Sequence, residues 1–100
     1  MNNIKRWIAV YTKPKHEKTV QRKLDDNGFE VYLPMLRKRQ QWSDRKRWVD
    51  FPLFRSYVFI CTHKENHMEI LQTPSIISIV KFGKKIAYIE DKTINSIKQI

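Results

Sequence analysis

The spacing of apolar positions changes several times along the chain, and each change marks an element. Residues 7–11, WIAVY, form an aromatic and aliphatic run that TKPK ends, which predicts a strand. From His16 to Asn27 the apolar positions Val20 and Leu24 lie four apart among mostly charged residues. DNG then supplies residues that tolerate a left-handed helix end, so a surface helix held by one narrow stripe is predicted. FEVYLP alternates at Phe29, Val31 and Leu33 and closes with Pro34, a second strand. Residues 35–50 have strand-like ends and a polar middle, predicting an extended β-ribbon that turns around Ser43 and Asp44 with a mobile tip. RSYVFIC, rich in β-branched and aromatic residues, is predicted to be the central strand. KENHMEILQTP sets Met68 and Leu71 three apart beside Ile70 and ends at Pro74, predicting a short helix, and IISIVKFG is then a strand that Gly83 stops. EDKTINSIKQI carries Ile94, Ile97 and Ile100 at three-residue spacing and reads as a third helix begun and cut off, as in a fragment of a longer protein.

The order β-α-β-(β-hairpin)-β-α-β-α predicts one α+β domain over residues 1–100. Its mainly antiparallel central sheet is flanked by helices in two or three layers, and a basic β-hairpin protrudes from it. Alternation along the strands sorts the side chains. Trp7, Ala9 and Tyr11 share one face of the first strand, and Ile8 and Val10 the other. In the central strand Leu53, Arg55, Tyr57, Phe59 and Cys61 alternate with Phe54, Ser56, Val58 and Ile60. If Ile8, Val10, Val58 and Ile60 face the helices, then Tyr11 and Tyr57 face away, and Phe54, just beyond the strand, can join them. Two outcomes stand side by side here: an open aromatic patch of the kind that binds a protein, or a face covered by the third helix.

Composition narrows the partner. One hundred residues, 41% hydrophobic, fill one modest core. The net charge of +10, from 20 Lys and Arg against 10 Asp and Glu, points to a polyanion, with nucleic acid the first to consider. Six basic residues (Arg37, Lys38, Arg39, Arg45, Lys46, Arg47) and one acid, Asp44, give the stretch 37–47 a net +5, half of the whole excess. A solvated hairpin edge kept from aggregating is one reading. The other is an arm that contacts phosphates, with Trp42 at the tip free to stack on an unpaired base. A second basic set, Lys13, Lys15, Lys18, Arg22 and Lys23, runs from the first loop along the polar face of the first helix.

Catalysis has little to work with. His16, His63 and His67 have no partners at a zinc spacing, two glycines exclude a P-loop, and no paired carboxylates share a face, so neither an enzyme nor a metal or cofactor site is expected. The lone Cys61 reads as a buried, reduced thiol and favours a cytoplasmic setting. No stretch is long and apolar enough to span a bilayer, and a monomer is expected.

RWIAVYTKPKHEKTVQRKL, GFEVYLPM, the basic ribbon, FPLFRSYVFI and IVKFG, in that order, resemble the N-terminal domain of the NusG family of transcription elongation factors over nearly the whole chain. The chain looks most like the specialised paralogues of the RfaH and UpxY type, antiterminators on long surface-polysaccharide operons. Where the housekeeping form has Pro-Gly before a shared Tyr, this chain has Arg55 and Ser56. The resemblance implies docking on the clamp helices of the RNA polymerase β′ subunit with a bridge to β, through Tyr11, Phe54 and Tyr57, with Trp7 and Leu53 nearby. It implies contact with the non-template DNA strand through Lys13 and Lys23, with Arg22 adjacent. It implies a C-terminal KOW domain in the full-length protein. The paralogue element that touches β corresponds to Asn66–Met68, where its residues are not preserved. A rival from another class is a single-stranded nucleic-acid binding domain that works through Trp42, Trp48 and the basic ribbon without a polymerase contact.

Overall fold

A computed structural model describes residues 4–42 and 45–100, with residues 40–42, 45 and 46 described for the backbone alone. The first strand, β1 (Arg6–Thr12), leads into helix α1 (Glu17–Asp26) and strand β2 (Glu30–Tyr32). Strands β3 (Met35–Trp42) and β4 (Arg45–Pro52) follow, then β5 (Tyr57–Thr62), a 3₁₀ turn at Lys64–Asn66 and helix α2 (His67–Leu71). Strand β6 (Ile76–Ile79), the two-residue strands β7 (Lys81–Phe82) and β8 (Lys85–Ile86), and helix α3 (Asp91–Lys98) complete the chain.

The main sheet has the order β2-β5-β1-β6, and every neighbouring pair is antiparallel. Strand β5 therefore separates β1 from β2, and β1 separates β5 from β6. Each half is a split β-α-β unit, the arrangement of ferredoxin-like domains. RSYVFIC does provide an interior strand, but Arg55 and Ser56 stand outside it: Ser56 has φ 68°, a left-handed turn conformation that no strand continues.

The two faces of the sheet fill as alternation dictates. Ile8 and Val10 from β1 and Val58 and Ile60 from β5 point to one side, where Val20 and Leu24 of α1 and Ile70 of α2 meet them, all fully buried. On the other side Trp7, Ala9 and Phe59 pack under Ile94 of α3, with Ile97 against them. Helix α3 thus makes a third layer over one end of the sheet. Among the described residues no helix is long and apolar enough to cross a membrane.

Three details differ from the sequence expectation. Only Ile70 of α2 reaches the core, and Met68 and Leu71 are exposed, because a five-residue helix turns just one side chain onto the sheet. IISIVKFG does not run as one strand; β6 ends at Ile79, and Lys81–Phe82 pairs instead with Lys85–Ile86 around Gly83 at φ 60°. Cys61 is half-buried rather than enclosed, on the α3 side of the sheet edge shared with β2.

Candidate functional site

Helix α3 covers only part of its face. Along β1, Trp7 and Ala9 are 5% and 7% exposed, whereas Tyr11, two positions on, is 37% exposed. Along β5, Phe59 is buried and Tyr57, which pairs with Tyr11 in the ladder, is 38% exposed. The Tyr11 and Tyr57 rings meet at 5.5 Å. Phe54, at 39% exposure, stands edge-on to Phe59 at 5.8 Å, and Phe59 stacks in turn with Tyr32 at 6.3 Å. Tyr32, Phe59 and Phe54 thus form one aromatic chain, and Tyr11 and Tyr57 form a separate pair. The open end presents Tyr11 and Tyr57 from paired strands and Phe54 from the turn before β5, ring types that dominate protein-binding sites.

The other two residues expected at this surface sit elsewhere. Trp7 is in the core under α3, 5% exposed, with the Lys98 ammonium 5.7 Å from its ring. Leu53 is half-buried at the root of the β3–β4 ladder, where its N–H donates to the Pro34 carbonyl at 2.8 Å.

The turn that carries Phe54 is pinned from three sides. Within it, the Tyr57 N–H donates to the Phe54 carbonyl at 3.3 Å. The Ser56 carbonyl accepts the buried Thr12 N–H at 2.7 Å. The Ser56 N–H donates to Oε2 of Glu17 at 2.9 Å. Glu17 is 6% exposed, and the sequence reading passed it over as one more charge on a polar helix. Its only signal is its isolation: it is the one acid between Thr12 and Leu24, in the first helical turn, where the helix dipole favours a negative charge.

The basic residues fall into several places. Strands β3 and β4 pair in continuous antiparallel register from Met35↔Pro52 to Trp42↔Arg45. That register sets Arg37 and Arg39 opposite Asp50 and Trp48, and puts Lys38 and Arg47 on the alternate positions, so the basic run is divided between two faces. Arg37, Lys38, Arg39 and Arg47 are all exposed. Arg37 reaches Asp50 at 3.9 Å and lies 5.5 Å over the ring of Trp48, which is 60% exposed. The turn at Ser43 and Asp44 and the side chains of Trp42, Arg45 and Lys46 lie outside the described residues.

Helix α1 brings its own basic face up to this ladder. Lys18 lines a shallow groove with Arg47, Trp48, Val49 and Asp50. Lys13 and Arg22 are exposed. Lys13 lies in the loop after β1, tied through its N–H to the Ser75 carbonyl at 3.0 Å, and His16 Nδ1 is 2.7 Å from the Ser75 hydroxyl. Lys23 is apart from these: it is half-buried in a groove between α1 and α2 beside Asp26 and Glu69, an acidic setting less suited to a phosphate.

The groups that carry chemistry elsewhere are dispersed. Among the described residues no three His, Cys, Asp or Glu side chains gather as a metal site requires. Burial pushes the Cys61 thiol above its ordinary range, reinforced by Glu30 and Asp91, which disfavours the reactive thiolate. Burial holds His67 below the usual histidine value, with Lys64 adding to it. His63 keeps a buried Nδ1 without a hydrogen-bond partner among the described residues.

Compared with known proteins, residues 5–98 match the family model described as transcription termination factor NusG. No curated protein matches the chain by sequence. Among solved structures, the fold is similar to that of NusG from Thermotoga maritima, in work on domain interaction in that protein. The TM-score is 0.67 at 20% identity, over 96% of this chain and 56% of that one. The chain thus spans little more than half the length of that relative.

Proposed function

The chain belongs to the NusG family, and on that premise we propose that it is the polymerase-docking module of a transcription elongation factor that suppresses pausing or termination. The observation that carries this reading is the open end of the α3 face, where Tyr11 and Tyr57 meet on two paired strands and Phe54, on the turn leading into β5, is exposed as they are. In this reading the rings dock on the clamp helices of the polymerase β′ subunit, and the domain bridges to β as a monomer. The role is mechanical. A bridge that binds the closed clamp more tightly than the open one shifts that equilibrium by its differential affinity, without any chemistry. The exposed Lys13 and Arg22 then contact the non-template DNA strand, the exposed Arg37, Lys38, Arg39 and Arg47 offer phosphate contacts from the two faces of the β3–β4 ladder, and the full-length protein carries a C-terminal KOW domain. The replacement of Pro-Gly by Arg55 and Ser56 supports a specialised paralogue serving long surface-polysaccharide operons.

The test is calorimetric binding to isolated β′ clamp helices at two salt concentrations, comparing the unsubstituted chain with Tyr11→Ala and Phe54→Ala. Docking predicts binding that both substitutions abolish and that salt changes little. One observation favours a second reading, a single-stranded nucleic-acid module: the exposed Trp48 with Arg37 over it, among basic neighbours. That reading predicts no clamp binding, and oligonucleotide binding that falls steeply with salt and with Arg37→Glu.

A further inference from the structure

We infer that Glu17 is a positioning residue for the aromatic docking face: its carboxylate holds the Phe54–Tyr57 turn in the one conformation that presents Phe54 beside Tyr11 and Tyr57. This rests on the docking reading above.

Glu17 is 6% exposed on a chain whose other described acids are all at the surface or near it, and a carboxylate taken out of water is unfavourable unless it is hydrogen-bonded. Among the described residues no cation pairs with it. What it meets is the first turn of its own helix, whose dipole favours an anion, and the Ser56 N–H at 2.9 Å, a charge-assisted hydrogen bond. Position 17 is therefore occupied by a charge whose side chain, among the described residues, accepts one hydrogen bond, from a turn 39 residues away.

The turn needs such a restraint. Ser56 sits at φ 68°, a region that a residue with a Cβ enters only at a cost. Left to itself, Ser56 relaxes toward negative φ. That rotation swings the peptide planes on either side of it and breaks both its N–H contact to Glu17 and its carbonyl contact to Thr12. Phe54 lies one residue before the affected segment and carries the carbonyl that accepts the Tyr57 N–H, so its ring leaves the surface when the turn opens. The Thr12 N–H holds the carbonyl side and Glu17 holds the amide side. Because Thr12 contributes backbone alone, Glu17 is the side chain through which the sequence sets this geometry.

The experiment uses this chain with Glu17→Gln, which keeps an acceptor oxygen, and Glu17→Met, which keeps the volume and removes the acceptor. Three quantities are read: affinity for RNA polymerase core enzyme, thermal midpoint, and hydrogen exchange of the Ser56 amide. The expected result is that Glu17→Gln binds within about twofold of the unsubstituted chain, while Glu17→Met binds about tenfold more weakly, the scale of one hydrogen bond to a charged group. Fast Ser56 exchange accompanies that loss, and the β1–β5 amides stay protected. A folded Glu17→Met chain that binds as tightly as the unsubstituted one overturns the inference, as does equal weakening by Gln and Met. If Glu17→Met does not fold, the unsubstituted chain decides: a Ser56 amide exchanging as fast as an open loop overturns the restraint, and a protected one supports it. Failure of the unsubstituted chain to bind polymerase at all refutes the docking reading itself, a result distinct from each of these.

Discussion

Two ends of one sheet face carry the same kind of side chain and come to opposite fates. At one end Trp7, Ala9 and Phe59 lie beneath Ile94 and Ile97 of α3 and are core. At the other, Tyr11 and Tyr57 on the same strands, and Phe54 on the turn leading into β5, are more than a third exposed. Strand alternation treats both ends alike, so nothing local distinguishes a covered ring from an exposed one. The difference is the placement of α3, which packs Ile94 and Ile97 on Trp7, Ala9 and Phe59. Tyr11 and Tyr57 take their backbone from strands whose reverse face is buried, and Phe54 takes its own from the turn that Thr12 and Glu17 hold. A surface built this way presents apolar area with little left to order on binding, which lowers the entropic cost of association.

The comparison breaks most visibly at the covered end. Trp7→Ala should cost about 3–5 kcal/mol of stability in urea unfolding, as for other buried aromatic truncations. Any loss of polymerase binding in that variant should track unfolding. Tyr57→Ala, on the same face, should cost no more than about 1 kcal/mol of stability, in keeping with a surface position. Yet it should weaken docking by about 2 kcal/mol in calorimetry, the threshold of an interface hot spot. Equal stability losses in the two variants would dissolve the distinction. Ser56→Gly should stabilise the chain by about 1 kcal/mol, since glycine adopts φ 68° without the steric cost, and should leave docking intact because the amide that Glu17 holds is retained. The smallest effect belongs to Lys98, whose ammonium lies 5.7 Å from Trp7 and 5.2 Å from Tyr32. Lys98→Met should lower stability by about 0.5 kcal/mol, read in the same unfolding experiment, and should leave docking unchanged.

The strands and the two-sided sheet were legible because period-2 alternation over WIAVY and YVFIC leaves little choice of face, and the Val20–Leu24 stripe fixed which side of α1 is buried. Short elements were not. Strands β7 and β8 have two residues each, too few to carry a period, and α2 is too short for Met68 and Leu71 to form a stripe with Ile70. The basic residues could be counted but not placed, since only the β3–β4 register divides Arg37 and Arg39 from Lys38 and Arg47. Glu17 was invisible for a different reason: its partner is a backbone amide 39 residues away, and an amide leaves no mark in sequence.

By itself, then, the sequence determined the α+β class, the pairing of faces along β1 and β5, the concentration of positive charge and the absence of a catalytic motif. All of these follow from residue type and spacing, which are local properties of the chain. Tertiary structure alone decided that Trp7 is core and Tyr11 is surface, that Phe54 joins Tyr57 across a left-handed Ser56, and that a buried carboxylate holds that turn. Each depends on which distant segment comes to lie against a given side chain, and burial is a property of that neighbour as much as of the residue itself.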